Sequence, residues 1–380
     1  MLESYINRPT WTEVNLENLA FNFRSIKKFI GNEIGYMAVV KADGYGHGAV
    51  SCAKKLVEEG VDWFAVALLE EGIELRENNI ETPILCLGGF WTGQENFFLE
   101  YRITPVVYQL ETAEKFNIAA QEKKVFADVH IKIDTGMGRI GVRFDEVKEF
   151  TEKLKAFGYL RVEGIMTHFA AADNLSENDY TDTQIKRFNE AVAVFEENGF
   201  RPKFKDMANS PGAVVHKNSR GNLVRLGGIL YGLGDDVLPK AAAKPELKAV
   251  LSLHSRIAQI KKVPKGETLG YSRTFTTLRN SVIATVPIGY QDGYRRSLSN
   301  RGRVIVNNQY VPVVGRISMD WTILDATDLQ DVNVNDEVIL IGEREILKVT
   351  AEELASLIET ISYEITCGIH RRVTRKYVGG

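Results

Sequence analysis

The sequence of 380 residues predicts an α/β fold, in which an N-terminal (β/α)8 barrel precedes a mainly-β domain. Three observations predict it: apolar β-type runs alternate with helical patterns, eight such runs can be counted, and the alternation stops after Gly234. Eight runs, each followed by a helix or a turn, favour a closed parallel barrel over an open sheet. The runs are Tyr36–Ala42, Val61–Ala67, Thr82–Gly89, Ile103–Tyr108, Val125–Asp134, Leu160–Phe169, Phe204–Ser210 and Leu223–Gly232.

The segments between these runs have helical spacing. Apolar residues repeat every three or four positions in Phe144–Gly158 and again in Tyr180–Gly199. Polar residues lie at or near the C-terminal ends of the runs, and in a barrel these ends meet at the face that carries the active site. They are Lys41, Lys132, Arg139, His168, Asn209 and Ser210, with Arg225, early in its run, as the exception.

The C-terminal part has a different pattern. A link of small residues and proline at 240–245 leads into short β-runs separated by Gly, Pro and Asn turns. One amphipathic helix, Thr350–Ile361, interrupts them, with Thr350 as its expected cap. The predicted domains are a barrel over residues 12–240 and a mainly-β domain over residues 241–380, which also includes residues 1–11.

Composition excludes several classes of function. A net charge of -3 gives no electrostatic basis for binding nucleic acid, and no apolar run is long enough to span a membrane. The first fifteen residues lack the apolar core of a secretory signal. Three widely spaced cysteines indicate reduced thiols rather than a disulfide framework or a metal site. A cytoplasmic location is therefore expected.

Lys41 follows a buried run and precedes three closely spaced glycines. Desolvation at a strand end disfavours the ammonium form and frees an amine to attack a carbonyl, although a lone lysine there can simply extend towards solvent. The stretch Val39–Gly48, VVKADGYGHG, resembles the lysine motif of alanine racemases. In that family the lysine carries pyridoxal phosphate (PLP). Further motifs resemble the family, in order, from Trp11 to Arg375.

The segment Gly136–Gly141, GMGRIG, matches the G-x-G-x-x-G pattern of dinucleotide-binding folds. That interpretation needs an acid at the end of the next strand, whereas Glu163 falls mid-run and four strand-helix units already precede the motif. Together with Lys132, the segment resembles the alanine racemases instead. The resemblance implies that Arg139 contacts the cofactor phenolate and the substrate carboxylate, and that a carbamylated Lys132 holds Arg139. The alternative for Lys132 is an ordinary charge on a strand.

Three more barrel segments resemble cofactor-binding motifs of the family. Met166–Ala170 places His168 where the family stacks a histidine on the pyridine ring and links it to the second base. Asn209 and Ser210 begin a short helix whose first amides and hydroxyl suit a phosphate, the alternative being a serine cap.

Val224–Gly228, VRLGG, is the third of these segments. The resemblance implies that Arg225 meets the pyridine nitrogen, and that the amides of Gly227 and Gly228 meet the phosphate. Arginine only donates, so it leaves that nitrogen unprotonated and limits electron delocalisation into the ring. Limited delocalisation suits proton return over decarboxylation. The alternative is an arginine paired with a neighbouring acid. A bulkier apolar residue is more usual in the family at Gly228.

The mainly-β domain carries a tyrosine motif, Leu269–Phe275, that resembles the family's second base. Racemisation removes a proton from one face of Cα and returns one to the other face, which two bases on opposite faces can do. The resemblance implies that Lys41 and Tyr271 are these two bases. A tyrosine needs cationic neighbours to act as a base near pH 7, and Arg225 acting through His168 would supply one. The alternative is a tyrosine that packs its ring at a turn.

Three further positions match family segments. The resemblance implies that Tyr290 narrows the entrance, that the Met319 amide, beside Asp320, meets the substrate carboxylate, and that Tyr363 binds phosphate and shapes an inner gate with Tyr45. Ring packing at a domain boundary is the alternative for the tyrosines. Ser318 and Trp321 replace the commoner Cys and Gln, so substrate range is less well defined than the chemistry.

The resemblance as a whole implies a PLP-dependent alanine racemase that supplies D-alanine for peptidoglycan. It also implies a head-to-tail homodimer, because Tyr271 and Met319 enter the partner's active site in the family. A PLP decarboxylase of the same barrel class would place a carboxylate at the ring nitrogen, and a non-catalytic PLP carrier would resemble the barrel alone. Racemisation of serine or of a broader substrate set stays open.

Overall fold

The computed structural model describes residues 8–379. The chain divides into two compact units. We call Leu19–Gly44 and Ala49–Leu247 the barrel unit, and we call Met1–Asn18, Tyr45–Gly48 and Lys248–Gly380, so far as described, the β-rich unit. The domain boundaries drawn from the sequence stay a prediction.

The barrel unit contains a nearly closed barrel of eight parallel strands, as predicted. Neighbouring strands pair in the order 223–226, 35–39, 63–66, 84–86, 103–107, 127–134, 160–166 and 204–206. The last and first strands approach through two backbone hydrogen bonds, from Arg225 N to Ala208 O at 2.9 Å and from Asn222 N to Lys205 O at 3.4 Å. A short additional strand, Val142–Arg143, pairs in parallel with the end of the strand 127–134. These strands are mostly buried because their apolar residues face helices on one side and the barrel core on the other.

Helices follow most of the strands. The α-helices that begin in the N-terminal segment and the barrel unit are Leu16–Ile30, Ala49–Glu58, Leu69–Glu77, Glu95–Glu100, Leu110–Lys123, Val147–Leu154, Asn178–Glu197 and Ser210–Val215. Short 3-10 turns occupy Leu175–Glu177, Lys217–Ser219 and Gly228–Tyr231. Several predicted strands were too long at their C-terminal ends: Leu223–Gly232 is a strand only to Leu226, because the glycines that follow start a turn.

The β-rich unit is built mainly from strands, as predicted. Its larger sheet contains Thr10–Asn15, Leu251–Arg256, Arg303–Val306, Gln309–Pro312, Glu337–Arg344, Leu347–Val349 and Thr374–Val378. A three-stranded sheet joins Gln259–Val263, Ser281–Val286 and Thr322–Asp325, and Thr268–Leu269 pairs with Phe275–Thr276 in a small hairpin.

In the part of this unit that the structure describes, two α-helices accompany the sheets, Ala351–Leu357 and Ser362–Cys367. The first ends earlier than predicted, but its cap is confirmed: Thr350 Oγ1 accepts a hydrogen bond from Glu353 N at 3.0 Å. Among the described residues, no helix is both long enough and apolar enough to cross a membrane.

Candidate active site

Lys41 opens a left-handed helical turn. The strand Gly35–Val39 is buried, and the backbone after Lys41 then adopts positive φ at Ala42, Asp43, Gly44 and Tyr45. For residues other than glycine this conformation costs roughly 1–2 kcal/mol each. The sequence had indicated a tight turn made by glycines, whereas the structure extends the strained conformation to three residues with side chains.

Side chains from the barrel unit hold this turn. Glu71 accepts a hydrogen bond from Ala42 N at 2.7 Å, and its other carboxylate oxygen accepts from Ala67 N at 2.7 Å. Asp43 Oδ1 accepts from Ala49 N at 2.9 Å at the start of the next helix. One carboxylate thus ties together the loops after two neighbouring strands. No motif in the sequence indicated a role for Glu71.

Lys132 lies buried near the end of its strand, and Arg139 lies exposed in the loop beyond it. Burial, and next the charges of the Arg225 and Arg139 guanidiniums, together lower the pKa of the Lys132 ammonium to about 7. A substantial fraction of Lys132 is therefore a neutral, nucleophilic amine at neutral pH. The Gly136–Gly141 segment is a loop rather than the start of a helix, so it lacks the geometry of a dinucleotide-binding turn.

Arg225 is 3% exposed, and both of its terminal nitrogens contact other groups of the protein. Nη2 donates to Thr167 O at 2.7 Å and to Met207 O at 3.3 Å, and Nη1 donates to Asp206 O at 3.3 Å. Nη1 also forms an ion pair with the Asp206 carboxylate. An arginine paired with an acid was the alternative left open by the sequence, and the structure shows that pair.

Asp206 is a buried acid that sequence reasoning missed. Its side chain is fully buried, and burial raises the pKa of its carboxyl, while the Arg225 and Lys132 cations oppose that rise. The signal available in the sequence was a lone acid within the β-run Phe204–Ser210, but nothing there identified the partner 19 residues further along.

His168 lies beside the same arginine. Arg225 Nη2 approaches His168 Nδ1 at 3.4 Å. Burial, and next the Arg225 charge, hold the pKa of His168 well below its ordinary value, so the imidazole is neutral. Because a guanidinium only donates, this contact assigns Nδ1 as the acceptor and places the ring proton on Nε2.

The residues predicted to meet a phosphate are grouped at the start of the helix Ser210–Val215. Asn209, not Ser210, caps this helix, because its Oδ1 accepts from Gly212 N at 3.1 Å. Ser210 Oγ instead accepts from Gly227 N at 2.9 Å, which ties the helix start to the turn containing Gly228. The predicted strand-to-helix change at this point is confirmed.

In the β-rich unit, Tyr271 is 68% exposed at the tip of a small hairpin. The next residues, Ser272 and Arg273, have positive φ, and Arg273 Nε donates to Thr268 Oγ1 at 2.9 Å across the hairpin. Tyr271 borders a cavity of about 750 Å³ whose other lining residues include Arg316 and Trp321. Its ring is not packed into a core, in contrast to the alternative for this residue.

Tyr290 and Met319 lie on two loops that the backbone joins. Tyr290 N donates to Ser318 O at 3.0 Å and Gln291 N donates to Met319 O at 3.1 Å. The loops approach so closely that a Cβ at Gly289 would lie 2.3 Å from Ser318 O. Both side chains remain exposed.

A charge network lies below these loops. Asp292 is buried and binds Arg8 through both of its oxygens, at 2.5 and 2.6 Å, and binds Arg372 Nε at 2.6 Å. Arg372 also donates to Asp320 at 2.7 Å. Burial alone would raise the pKa of Asp292, but the hydrogen bonds from Arg8 and Arg372 hold it below its usual value.

Tyr45 and Tyr363 also belong to the β-rich unit. Their rings lie 5.4 Å apart between centroids and are tilted by 54°. Tyr45 is buried and Tyr363 is half-buried at the start of the helix Ser362–Cys367. The pair therefore forms a joint aromatic surface, and its predicted binding and gating roles stay predictions.

The predicted site residues thus fall into two groups. The barrel unit brings together Lys41, Lys132, Arg139, His168 and Arg225, since the four cations all lower the pKa of His168. Asn209, Ser210, Gly227 and Gly228 belong to the same unit. The β-rich unit contains Tyr45, Tyr271, Tyr290, Met319, Asp320 and Tyr363.

Known families match both units in this order. The alanine racemase N-terminal domain matches residues 14–235, and the alanine racemase C-terminal domain matches residues 250–377. The chain belongs to the alanine racemase family. An alanine racemase of Halothermothrix orenii is 42% identical over 380 residues, which is 99% of each chain. Members of the family at this identity and coverage are alanine racemases, so the chain is an enzyme, an isomerase acting on alanine.

Solved structures of alanine racemases also match. The one from Clostridium difficile is 42% identical, with a TM-score of 0.90 over 98% of this chain and 96% of that one. Another, from Bartonella henselae with covalently bound pyridoxal phosphate, is 30% identical, with a TM-score of 0.87 over 97% of this chain and 99% of that one. The predicted fold class and family resemblance are therefore confirmed.

Proposed function

We propose that this alanine racemase interconverts L-alanine and D-alanine with PLP as cofactor and with Lys41 and Tyr271 of the partner subunit as the two bases. The observation that carries the proposal is the basic cluster of the barrel unit, where Arg225 contacts a neutral His168 at 3.4 Å. Lys41, Lys132 and Arg139 lie close enough for their charges to lower the pKa of that histidine as well. Such a cluster suits a ligand that carries a phosphate and a phenolate, together with a substrate carboxylate.

The functional groups of these residues, as well as their charges, fit this cofactor. Lys41 supplies the amine for covalent attachment, Ser210 supplies a hydroxyl at a helix start, and Arg225 supplies a donor that never becomes an acceptor. The Bartonella relative, which carries PLP covalently, supports the assignment. When bound, PLP withdraws electrons from Cα of the attached amino acid and so acidifies its Cα–H bond.

Arg225 sets the direction of the chemistry in this proposal. A donor at the pyridine nitrogen leaves that nitrogen unprotonated and limits the electron density that the ring accepts. Limited delocalisation favours return of a proton to Cα over loss of carbon dioxide or transfer of the amino group. His168 shares its Nδ1 with Arg225 and keeps a proton on Nε2, so it can donate onwards to a tyrosinate and lower the cost of ionising Tyr271.

Lys132 and Arg139 orient the substrate in this proposal. A guanidinium binds a carboxylate in a planar fork, and it is best fixed by an anionic neighbour. Lys132 with a pKa of about 7 has a neutral amine available to combine with carbon dioxide, and the resulting carbamate would be that anion. The Met319 amide completes the carboxylate site, and Tyr290 narrows the entrance, as the family resemblance implies.

The exposure of the second base supports the proposal of a homodimer with shared sites. Tyr271 is 68% exposed and Met319 is 51% exposed in a single chain, although the proposed chemistry requires both at the substrate. Insertion into a partner's site would bury them. We further propose that the enzyme works in the cytoplasm and supplies D-alanine for peptidoglycan.

The test is racemisation in heavy water. Purified enzyme with PLP and L-alanine should give D-alanine that carries deuterium at Cα, measured by chiral separation and mass spectrometry. Deuterium enters because the base that returns the proton exchanges with solvent. Formation of pyruvate or ethylamine as the main product would contradict the role given to Arg225. Turnover of serine alone would keep the chemistry and change the substrate.

A further inference from the structure

Arg225 and Asp206 form a buried ion pair in the barrel unit, on neighbouring segments of the nearly closed sheet. The two side chains are 3% and 0% exposed. Among the described residues, Arg225 is the only residue that forms an ion pair with this carboxylate, and the carboxylate accepts no other hydrogen bond. Each group therefore depends on the other for its tolerance of burial.

The pair determines which donor of Arg225 is left for a ligand. Nη1 faces Asp206, and Nη2 faces two backbone carbonyls and His168. Among residues 8–379, Nε–H donates to no acceptor. A guanidinium is planar, so fixing both terminal nitrogens also fixes the direction of Nε–H.

We propose that Asp206 is the positioning residue for Arg225, holding Nη1 so that Nε–H is the donor presented to the pyridine nitrogen of the cofactor. This inference rests on the proposed function, since it concerns the same cofactor site. Asp206 would also offset part of the positive charge that Arg225 adds beside Lys41 and Arg139 at one end of the barrel.

The sharpest test is a double-mutant cycle on cofactor binding, with Asp206→Asn, Arg225→Gln and the double variant. Asp128→Asn is the matched control, because Asp128 also pairs with an arginine, Arg161, on a neighbouring barrel strand, but at the surface. Thermal unfolding establishes that each variant is folded, and equilibrium dialysis of the apoprotein gives the dissociation constant for PLP. The double variant keeps the charge balanced, so it remains informative if Asp206→Asn alone folds poorly.

Asp206→Asn should weaken PLP binding about tenfold or more in the presence of Arg225, and change it less than about twofold in the Arg225→Gln background. In the loaded enzyme, Asp206→Asn should lower kcat about tenfold while KM for alanine stays within about threefold, because Arg225 faces the cofactor rather than the substrate carboxylate. Asp128→Asn should leave both quantities unchanged. Losses of thermal stability alone would not produce this split.

The outcomes separate the inference from the proposed function. If Asp206→Asn weakened PLP binding equally in the wild-type and Arg225→Gln backgrounds, the positioning role would be overturned. Racemisation by the wild-type enzyme would still uphold the proposed function. An apoprotein that binds no PLP would overturn both. Non-additive binding together with the kcat effect would establish Asp206 as acting through Arg225.

Discussion

The imidazole of His130 fills the space that a side chain at Gly164 would occupy. A Cβ at Gly164 would lie 2.5 Å from His130 Cε1 and 2.6 Å from Nδ1. The ring has little room to move, because it packs against Trp63 and Phe204 at centroid distances of 5.5 and 5.9 Å. The histidine on one barrel strand therefore fits only because the neighbouring strand has a glycine at the facing position.

Replacing Gly164 by alanine should therefore destabilise the fold by about 1–3 kcal/mol through overpacking. Denaturant unfolding measures the change. Gly158→Ala is the matched control, because a Cβ there would meet nothing within 4 Å. The penalty should largely disappear in a His130→Ala background. A Gly164→Ala protein as stable as the Gly158→Ala protein would contradict this packing relationship.

His130 should make stability fall in acid. Burial, and next the Arg225 charge, lower the pKa of its imidazole to about 3, and its ring nitrogens have no hydrogen-bond partner among the described residues. The unfolded chain, with a histidine pKa near 6.5, binds a proton that the folded chain does not. Between about pH 6.5 and 3, His130 should therefore lower the free energy of unfolding by about 1.4 kcal/mol for each pH unit of acidification.

Urea unfolding across that range, compared with a His130→Leu variant, isolates this contribution. The variant should be less sensitive to pH throughout the window. An unchanged slope would show that His130 is protonated in the folded enzyme or that it is not buried.

Lys132 should carry a carbamate. Since burial brings its pKa to about 7, the neutral amine predominates above that pH and can bind carbon dioxide. Carbon-13 NMR with labelled bicarbonate should show a carbamate resonance that grows through pH 7 and is absent from Lys132→Ala. Lys153→Ala should keep it, because the hydrogen bond with Glu149 raises the pKa of Lys153 and keeps that amine protonated. A signal that survives Lys132→Ala would assign the carbamate elsewhere.

Two inactive variants should restore activity to each other. Lys41→Ala removes one base and Tyr271→Phe removes the other, so each homodimer should be inactive. If the bases of one site come from different subunits, a mixed dimer has one intact site, and statistical mixing should restore about a quarter of wild-type activity. Mixing after dissociation, followed by a racemisation assay, checks this. No recovery in a sample shown to contain mixed dimers would place both bases in one subunit.

Asp292 should be a stabilising centre of the β-rich unit. Asp292→Asn removes the charge that binds Arg8 and Arg372, and should cost about 2 kcal/mol, since the arginines are partly exposed and keep some solvation. Asp328→Asn, which breaks the exposed pair with Arg279, should cost no more than about 0.5 kcal/mol. Thermal unfolding of both variants makes the comparison. Equal costs would show that the network below Tyr290 and Met319 does not hold those loops.

The sequence located the barrel strands well because apolar runs are a local signal. Tyr36, Ile103, Leu160 and Leu223 each lie within one residue of an observed strand start. The C-terminal ends of the strands were predicted less accurately, because a run can remain apolar after the backbone has left the sheet, as it does beyond Leu226.

Long-range electrostatics were not accessible to the same reasoning. Asp206 looked like one acid in a mixed strand, and its partner Arg225 lies on another segment, so only the closing of the barrel reveals the pair. Glu71 was missed for a similar reason, because the hydrogen bond that connects it to the turn after Lys41 goes to Ala42 N, 29 residues earlier. The roles of Tyr271 and Met319, which depend on a second subunit, stay predictions.

The left-handed turn after Lys41 has a consequence for how substitutions in this region should be interpreted. Positive φ is accessible to glycine and asparagine but strongly disfavoured for β-branched residues. A saturation mutagenesis map should therefore show Ala42 tolerating glycine and asparagine while rejecting valine and isoleucine, although its side chain is exposed. Such a profile would resemble that of a chemically essential residue. Its origin would be the handedness of the backbone that aims the neighbouring lysine.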